Sequence, residues 1–288
     1  MSKYSKIISG TMAWGQWGKQ LSNSEMVDLM NHCLSTGITT FDHADIYGAY
    51  TTEAEFGNAF KTSGIKRDSV QFISKCGIQH LADNRNNKVK HYNYSKDYII
   101  WSVETSLKNL QTEYLDLLLL HRPSPLMHPG EIAEAITLLK KDGKIKDFGV
   151  SNFTSSQMDM IGLRIDIDVN QIEFSLTQHQ AMHDGTLDYM VTNGIQSMAW
   201  SPLGSVFKVD NEQTRRIHKQ LGQLAKKYNA TEDQLLLAWL LKHPSGITPV
   251  VGTTNKARLT QAINATVIDL DLEDWFLILV AAQGHKVP

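Results

Sequence analysis

The chain has 288 residues, 42% of them hydrophobic and 20% charged, with a formal net charge of −2; this is the profile of a globular protein able to bury a sizeable core. So small a net charge, with no dense Lys/Arg block, excludes the footprint of tight nucleic-acid binding, and no run reaches the roughly 18 apolar residues of a membrane span. Two cysteines, Cys33 and Cys76, are too few for a disulfide framework and too far apart for a zinc pair, so both are expected reduced. Met1-Ser2-Lys3-Tyr4-Ser5-Lys6 carries no long apolar stretch of the secretory kind, and a cytoplasmic protein with no membrane partner is expected.

Along the chain, short β-rich runs alternate with longer segments of helical period, as in repeated βα units around a parallel sheet. The predicted strands are 7–11, 38–42, 70–75, 115–120, 146–150, 168–173, 196–200 and 248–251, each short and largely apolar as a strand buried on both faces must be. Between the first two, Ser22 with Glu25 reads as a capped helix start and Gly37 as its stop. Ser95 opens a helix to Leu110 with Ile99, Val103, Leu107 and Leu110 on one stripe, and Pro129 and Gly143 bracket another. Residues 76–95, rich in Asn, Lys, His and Tyr, have little periodicity and are expected to form a long functional loop, as are residues 201–212. A last helix, 272–283, presents Trp275, Phe276, Leu279 and Val280 on one face. Eight units in this length predict one domain, residues 1–288, folded as a TIM-type (β/α)8 barrel with an additional C-terminal helix.

Strand C-termini converge on one rim of such a barrel. Asp42, Lys75 and His121 each end a predicted strand, and Tyr47 follows the second, so the four can meet although far apart in sequence. A carbonyl that receives hydride develops negative charge on oxygen and needs an acid nearby. Tyr47 can supply the proton if an ammonium, Lys75, lowers its pKa; two units correspond to roughly 2.7 kcal/mol. Asp42 would keep Lys75 charged, and His121 would orient the carbonyl. Taken singly, each has a plainer reading: Asp42 a turn or cap residue, Tyr47 half-buried packing, Lys75 a solvated lysine, His121 a structural histidine.

Phe41-Asp42 with Tyr47-Gly48, Ser74-Lys75, Leu120-His121 and Gly149-Val150-Ser151-Asn152-Phe153 together resemble the aldo-keto reductase superfamily over nearly the whole chain. The resemblance implies a catalytic tetrad of Asp42, Tyr47, Lys75 and His121, and a cofactor lying along Gly10, Thr11, Met12 and Asp42. It implies that Ser151, Asn152 and Gln171 hold the nicotinamide carboxamide, with Trp200 stacking on its ring where tyrosine is common in the family. Ser201, Leu203 and Ser205 would then reach the pyrophosphate. Gly252, Thr253 and Arg258, at a loop entering a helix, form an anion site by chemistry alone; by resemblance Thr253 and Arg258 take the adenosine 2′-phosphate, with Gln261 near adenine. The implied cofactor is NADP(H), preferred over NAD(H), and the implied partner is a small-molecule carbonyl substrate.

No Gly-x-Gly-x-x-Gly follows a strand, so Rossmann-type binding is not expected. His43 and Asp45 suggest a metal, but the ligand set is incomplete and Lys75 would repel a cation; no metal is expected. Trp14 and Trp17 after the first strand, Tyr50, His91, Tyr92 and Tyr94 in the loops, and Phe207 are candidates for the substrate pocket. The same superfamily includes the NADP-binding β subunits of potassium channels, an alternative that the lack of an added N-terminal segment argues against.

Overall fold

In the computed structural model, which describes residues 3–288, the eight apolar runs become eight parallel strands of a closed barrel; Met1 and Ser2, the first residues of the polar start, lie outside the described residues. In chain order the strands are β1 (Ile8–Gly10), β2 (Thr40–Asp42), β3 (Gln71–Cys76), the hairpin strands β4 (Ile78–Gln79) and β5 (His91–Tyr92), then β6 (Leu115–Leu120), β7 (Ile145–Ser151), β8 (Val169–Glu173), β9 (Gln196–Trp200) and β10 (Thr248–Val251). The barrel closes where Ile8 pairs with Val250 and Ser9 with Val251. Gly10 lies opposite Asp42, and Cys76 opposite Leu120, so the ends of neighbouring strands share one rim.

The side-chain period of two explains why these strands are apolar throughout. Leu117 and Leu119 point into the barrel with Ile8, Ile73, Val169, Met198 and Val250. Leu118 and Leu120 point outward into the layer shared with the helices, beside Phe72, Phe148 and Val150. The interior is thus a packed core, and the strand ends that bear Asp42, Lys75 and His121 gather at the open end above it. A cavity of about 560 Å³ at the other end, between Lys6, Val191, Pro244 and Thr266, is far from that rim.

The helices are α1 (Asn23–Ser35), the short turn α2 (Tyr47–Tyr50), α3 (Thr52–Ser63), α4 (Lys96–Leu110), α5 (Pro129–Lys141), α6 (Ser155–Gly162), α7 (Thr186–Thr192), α8 (Glu212–Tyr228), α9 (Glu232–Leu241), α10 (Lys256–Asn264) and α11 (Leu272–Gln283). Ser22 and Glu25 form the expected capping box on α1, and Ile99, Val103, Leu107 and Leu110 are the buried stripe of α4. Two features depart from the sequence expectation. Within the loop of 76–95, Ile78 pairs with Tyr92 and Gln79 with His91; strands of two residues are too short to leave a period. On α11 the buried residues are Asp274, Ile278, Leu279 and Ala282, whereas Phe276 is 40% exposed. The helix is rolled because Trp275 stacks on Trp239 at 4.9 Å between ring centroids and Asp274 is held by Lys227 and Tyr228.

Candidate active site

The four predicted catalytic residues meet at the rim. Lys75, 1% exposed, donates from Nζ to Asp42 Oδ2 at 2.7 Å, to the His43 carbonyl at 2.8 Å and to the Tyr47 hydroxyl at 3.2 Å. Its three protons are thereby all directed. Gln171 Nε2 donates to Asp42 Oδ1 at 3.0 Å, so the carboxylate is fixed at both oxygens. His121 is buried with its ring 6.1 Å from that of Tyr47, and its Nδ1 has no partner among the described residues.

Burial works against the Lys75 charge, but Asp42 and the Tyr47 hydroxyl outweigh it and hold the ammonium above its ordinary pKa. Burial raises the Tyr47 phenol; the Lys75 ammonium pulls it down without overcoming that rise. The net direction is therefore opposite to the sequence expectation, because the loss of water around the phenol counts for more than its cationic neighbour. Burial, with Lys75 and Arg122 nearby, pushes His121 well below the usual imidazole range, which leaves a neutral ring.

His43 and Asp45 are both buried and turned to other work. His43 Nδ1 is 2.9 Å from Thr11 Oγ1 and its ring packs on Phe56; burial lowers its pKa to about 3. Asp45 accepts from Ser102 at 3.2 Å, and burial with Glu53 nearby raises its pKa well above the carboxylate range. Among the described residues no group of three or more His, Cys, Asp and Glu side chains could hold a metal ion.

Backbone strain gathers at the same rim. Ala49, Tyr50, Asn152 and Ser201 all have positive φ without being glycine, a conformation that costs on the order of 1–3 kcal/mol each. Asn152 is held by its side chain, whose oxygen accepts from Trp200 Nε1 at 3.2 Å and from the Glu173 backbone at 3.1 Å. Ser151 Oγ accepts from Asn152 at 2.9 Å and Arg122 at 3.0 Å and donates no hydrogen bond among the described residues. Gly10 and Thr11 border Asp42, Thr11 bonding its carbonyl through both backbone and hydroxyl, and Met12 is 50% exposed.

Trp200, Ser201, Leu203 and Ser205 are half-buried where the chain leaves β9, with the Ser205 backbone N–H on Thr177. Gly252 and half-buried Thr253 lead to Asn255, which caps α10 by accepting from the Arg258 N–H at 3.2 Å. The Arg258 side chain is exposed and makes no ion pair among the described residues. Gln261, one turn on, accepts at its carbonyl from Gln234.

The aldo/keto reductase family model matches residues 6–279. The chain belongs to that family. It is 42% identical over 292 residues to the uncharacterized oxidoreductase YcsN of Bacillus subtilis, covering 99% of this chain and 97% of that protein. It is 38% identical to the 6-dehydroglucose reductase of Agrobacterium fabrum, covering 98% and 97%. A solved aldo/keto reductase from Klebsiella pneumoniae, in complex with NADP and acetate, superposes with a TM-score of 0.81 at 25% identity, covering 99% of this chain and 93% of that one.

In this aldo/keto reductase several substrate-side expectations change. Trp14 is fully buried against Phe41 and Phe56 and belongs to the core. Trp17, 39% exposed, is the tryptophan at the mouth, 6.3 Å from the Tyr47 ring and 5.3 Å from His80. Tyr94 is buried with its hydroxyl on the Arg122 carbonyl, and Phe207 packs on His218. Tyr50 and Tyr92 stay half-buried, and His91 is exposed. The residue that sequence reasoning missed is Arg122, which bonds Ser151, its neighbour's carbonyl at His121, and covers Trp200 at 5.2 Å. Its only sequence signal was its place directly after His121.

Proposed function

We propose that this protein is an NADP(H)-dependent reductase that converts a small aldehyde or ketone to an alcohol, with Tyr47 as the proton donor. The observation that carries the reading is the placement of Lys75 Nζ within reach of both Asp42 and Tyr47, beside a neutral His121 whose Nδ1 has no partner among the described residues.

The residues present fit a nicotinamide dinucleotide. The buried Ser151 hydroxyl has a proton left to give to a carboxamide, Trp200 offers a ring fixed through its N–H, and the exposed Arg258 beside the α10 N-terminus suits a phosphate. Ser151 and Asn152 would hold the carboxamide and Ser201, Leu203 and Ser205 the pyrophosphate, with Gly10, Thr11, Met12 and Gly252 along its edge. Thr253 and Arg258 would take a 2′-phosphate, which favours NADP(H) over NAD(H), with Gln261 towards the base. Gln171 bonds Asp42 and would reach the carboxamide only by sharing or giving up that bond.

When bound, the cofactor supplies hydride to the carbonyl carbon. His121 and the Tyr47 hydroxyl hold the carbonyl oxygen, and Tyr47 gives it a proton as charge develops there. Lys75 stabilises the phenolate left behind, and Asp42 keeps Lys75 charged. The near-complete burial of Asp42 and Lys75 keeps water from screening these interactions.

Fluorescence titration with NADPH and with NADH, followed by a carbonyl panel that includes 6-dehydroglucose, tests the reading. Tight NADPH binding with reduction of at least one carbonyl supports it; no binding of either nucleotide sinks it.

A further inference from the structure

Directly after Tyr47, three residues in a row, Gly48, Ala49 and Tyr50, lie in the left-handed region with φ of 58°, 53° and 72°. Two of the three carry side chains, so the run needs outside support. That support comes from the loop between β4 and β5. The Tyr50 hydroxyl accepts from the His80 backbone N–H at 2.8 Å and donates to its carbonyl at 3.4 Å. Asn84 Nδ2 donates to the Ala49 carbonyl at 3.2 Å. The Arg85 guanidinium lies 4.0 Å from the Tyr50 ring centroid and 4.9 Å from that of Trp101 on α4. It helps line a cavity of about 250 Å³ that Asp45 and Glu53 also border.

We propose that this loop is a clamp on the left-handed turn, with Arg85 a positioning residue that sets how closely the Tyr47 phenol approaches Lys75. The inference rests on the reading of Tyr47 as proton donor. Tyr47 and Tyr50 are the two ends of one turn, so release of Tyr50 is felt at Tyr47. The Tyr47–Lys75 contact, at 3.2 Å, is already at the long end of an N–H···O bond, and a small drift breaks it. Arg85 itself bonds none of the four catalytic side chains; it acts by bridging the faces of two rings, one on the turn and one on α4. The charged groups that face the phenol are Lys75, Asp42 and Arg122, with neutral His121 beside them.

The test uses the full chain labelled with 13Cζ-tyrosine, the Tyr47 resonance being assigned by its loss in Tyr47→Phe. Arg85→Ala is expected to move the Tyr47 titration up by about half a pH unit or more, as the phenol leaves Lys75. It should lower kcat for carbonyl reduction about tenfold and leave NADPH affinity within about twofold. Arg85→Lys, which keeps a cation over the rings, restores most of the titration and of kcat. An unmoved Tyr47 titration in Arg85→Ala, a parallel loss of NADPH affinity, or no recovery in Arg85→Lys overturns the clamp. Wild-type turnover in Tyr47→Phe overturns instead the reading of Tyr47 as donor, and the titration still decides the clamp by itself.

Discussion

Lys75 Nζ meets Asp42 Oδ2 at 2.7 Å in a pair almost wholly withdrawn from water, with 1% and 3% of the two side chains exposed. Removing one partner of such a pair strands the other charge, at about 3–5 kcal/mol. Asp42→Asn should therefore lower the melting temperature and, because Lys75 then sheds its proton, cut carbonyl reduction about a hundredfold. Thermal melts and steady-state kinetics on the same preparation check both; a variant with wild-type kcat would show that Asp42 does not act through Lys75.

The pH profile of reduction follows from two directions. Burial holds the Tyr47 proton above the ordinary phenol pKa, and a donor is lost only as pH rises through that value. His121 is neutral over the physiological range because burial depresses its pKa. Hence kcat should be flat from about pH 6 to pH 9 and fall only above about pH 10. A bell with an inflection near the ordinary imidazole value of about 6.5 would contradict the neutral His121.

Among the described residues Arg258 makes no ion pair of its own beside the α10 N-terminus. If it takes the 2′-phosphate, Arg258→Ala weakens NADPH about tenfold, near 1.4 kcal/mol, and leaves NADH unchanged. Equal weakening of the two nucleotides in a fluorescence titration would place Arg258 elsewhere.

Asp45 carries a linkage of unusual sign. Its folded pKa is raised by burial and by Glu53, so the folded state holds the proton more tightly than the unfolded chain. Stability is full below the unfolded pKa of about 3.9 and declines as pH rises towards the folded value. Asp45→Asn keeps the shape and removes the titration, so the melting temperature of the variant minus that of the wild type should grow between pH 5 and pH 8. A pH-independent difference would show that Asp45 is ionised in the fold.

At Gly57 on α3 an added Cβ would lie 2.0 Å from the Asn109 carbonyl oxygen and 2.8 Å from the Leu110 backbone. Gly57→Ala must push α3 from α4, at about 1–3 kcal/mol, and an unchanged melting temperature would refute that close approach.

Elements with their own period were legible from residues alone. The run Leu117-Leu118-Leu119-Leu120 announces a strand buried on both faces, and the i, i+4 and i+3 spacing from Ile99 to Leu110 announces the buried stripe of α4. The strand-end positions of Asp42, Lys75 and His121 follow once the strands are placed. What depends on contacts across the fold was not legible. The Gln171–Asp42 bond joins residues 129 apart, and Trp14 and Trp17 share a glycine-punctuated loop although one is core and the other faces the mouth. The roll of α11 is set by Trp239 and Lys227, on other helices. Gly48-Ala49-Tyr50 gives no sign in sequence of a left-handed run, since its conformation is imposed by His80, Asn84 and Arg85.

The most direct test of the account is Tyr47→Phe, measured for NADPH binding and for carbonyl reduction with whichever substrate the panel yields. Loss of the hydroxyl should leave NADPH affinity within about twofold and reduce turnover by about 10²–10⁴-fold. Retained turnover would contradict the assignment of Tyr47 as the proton donor.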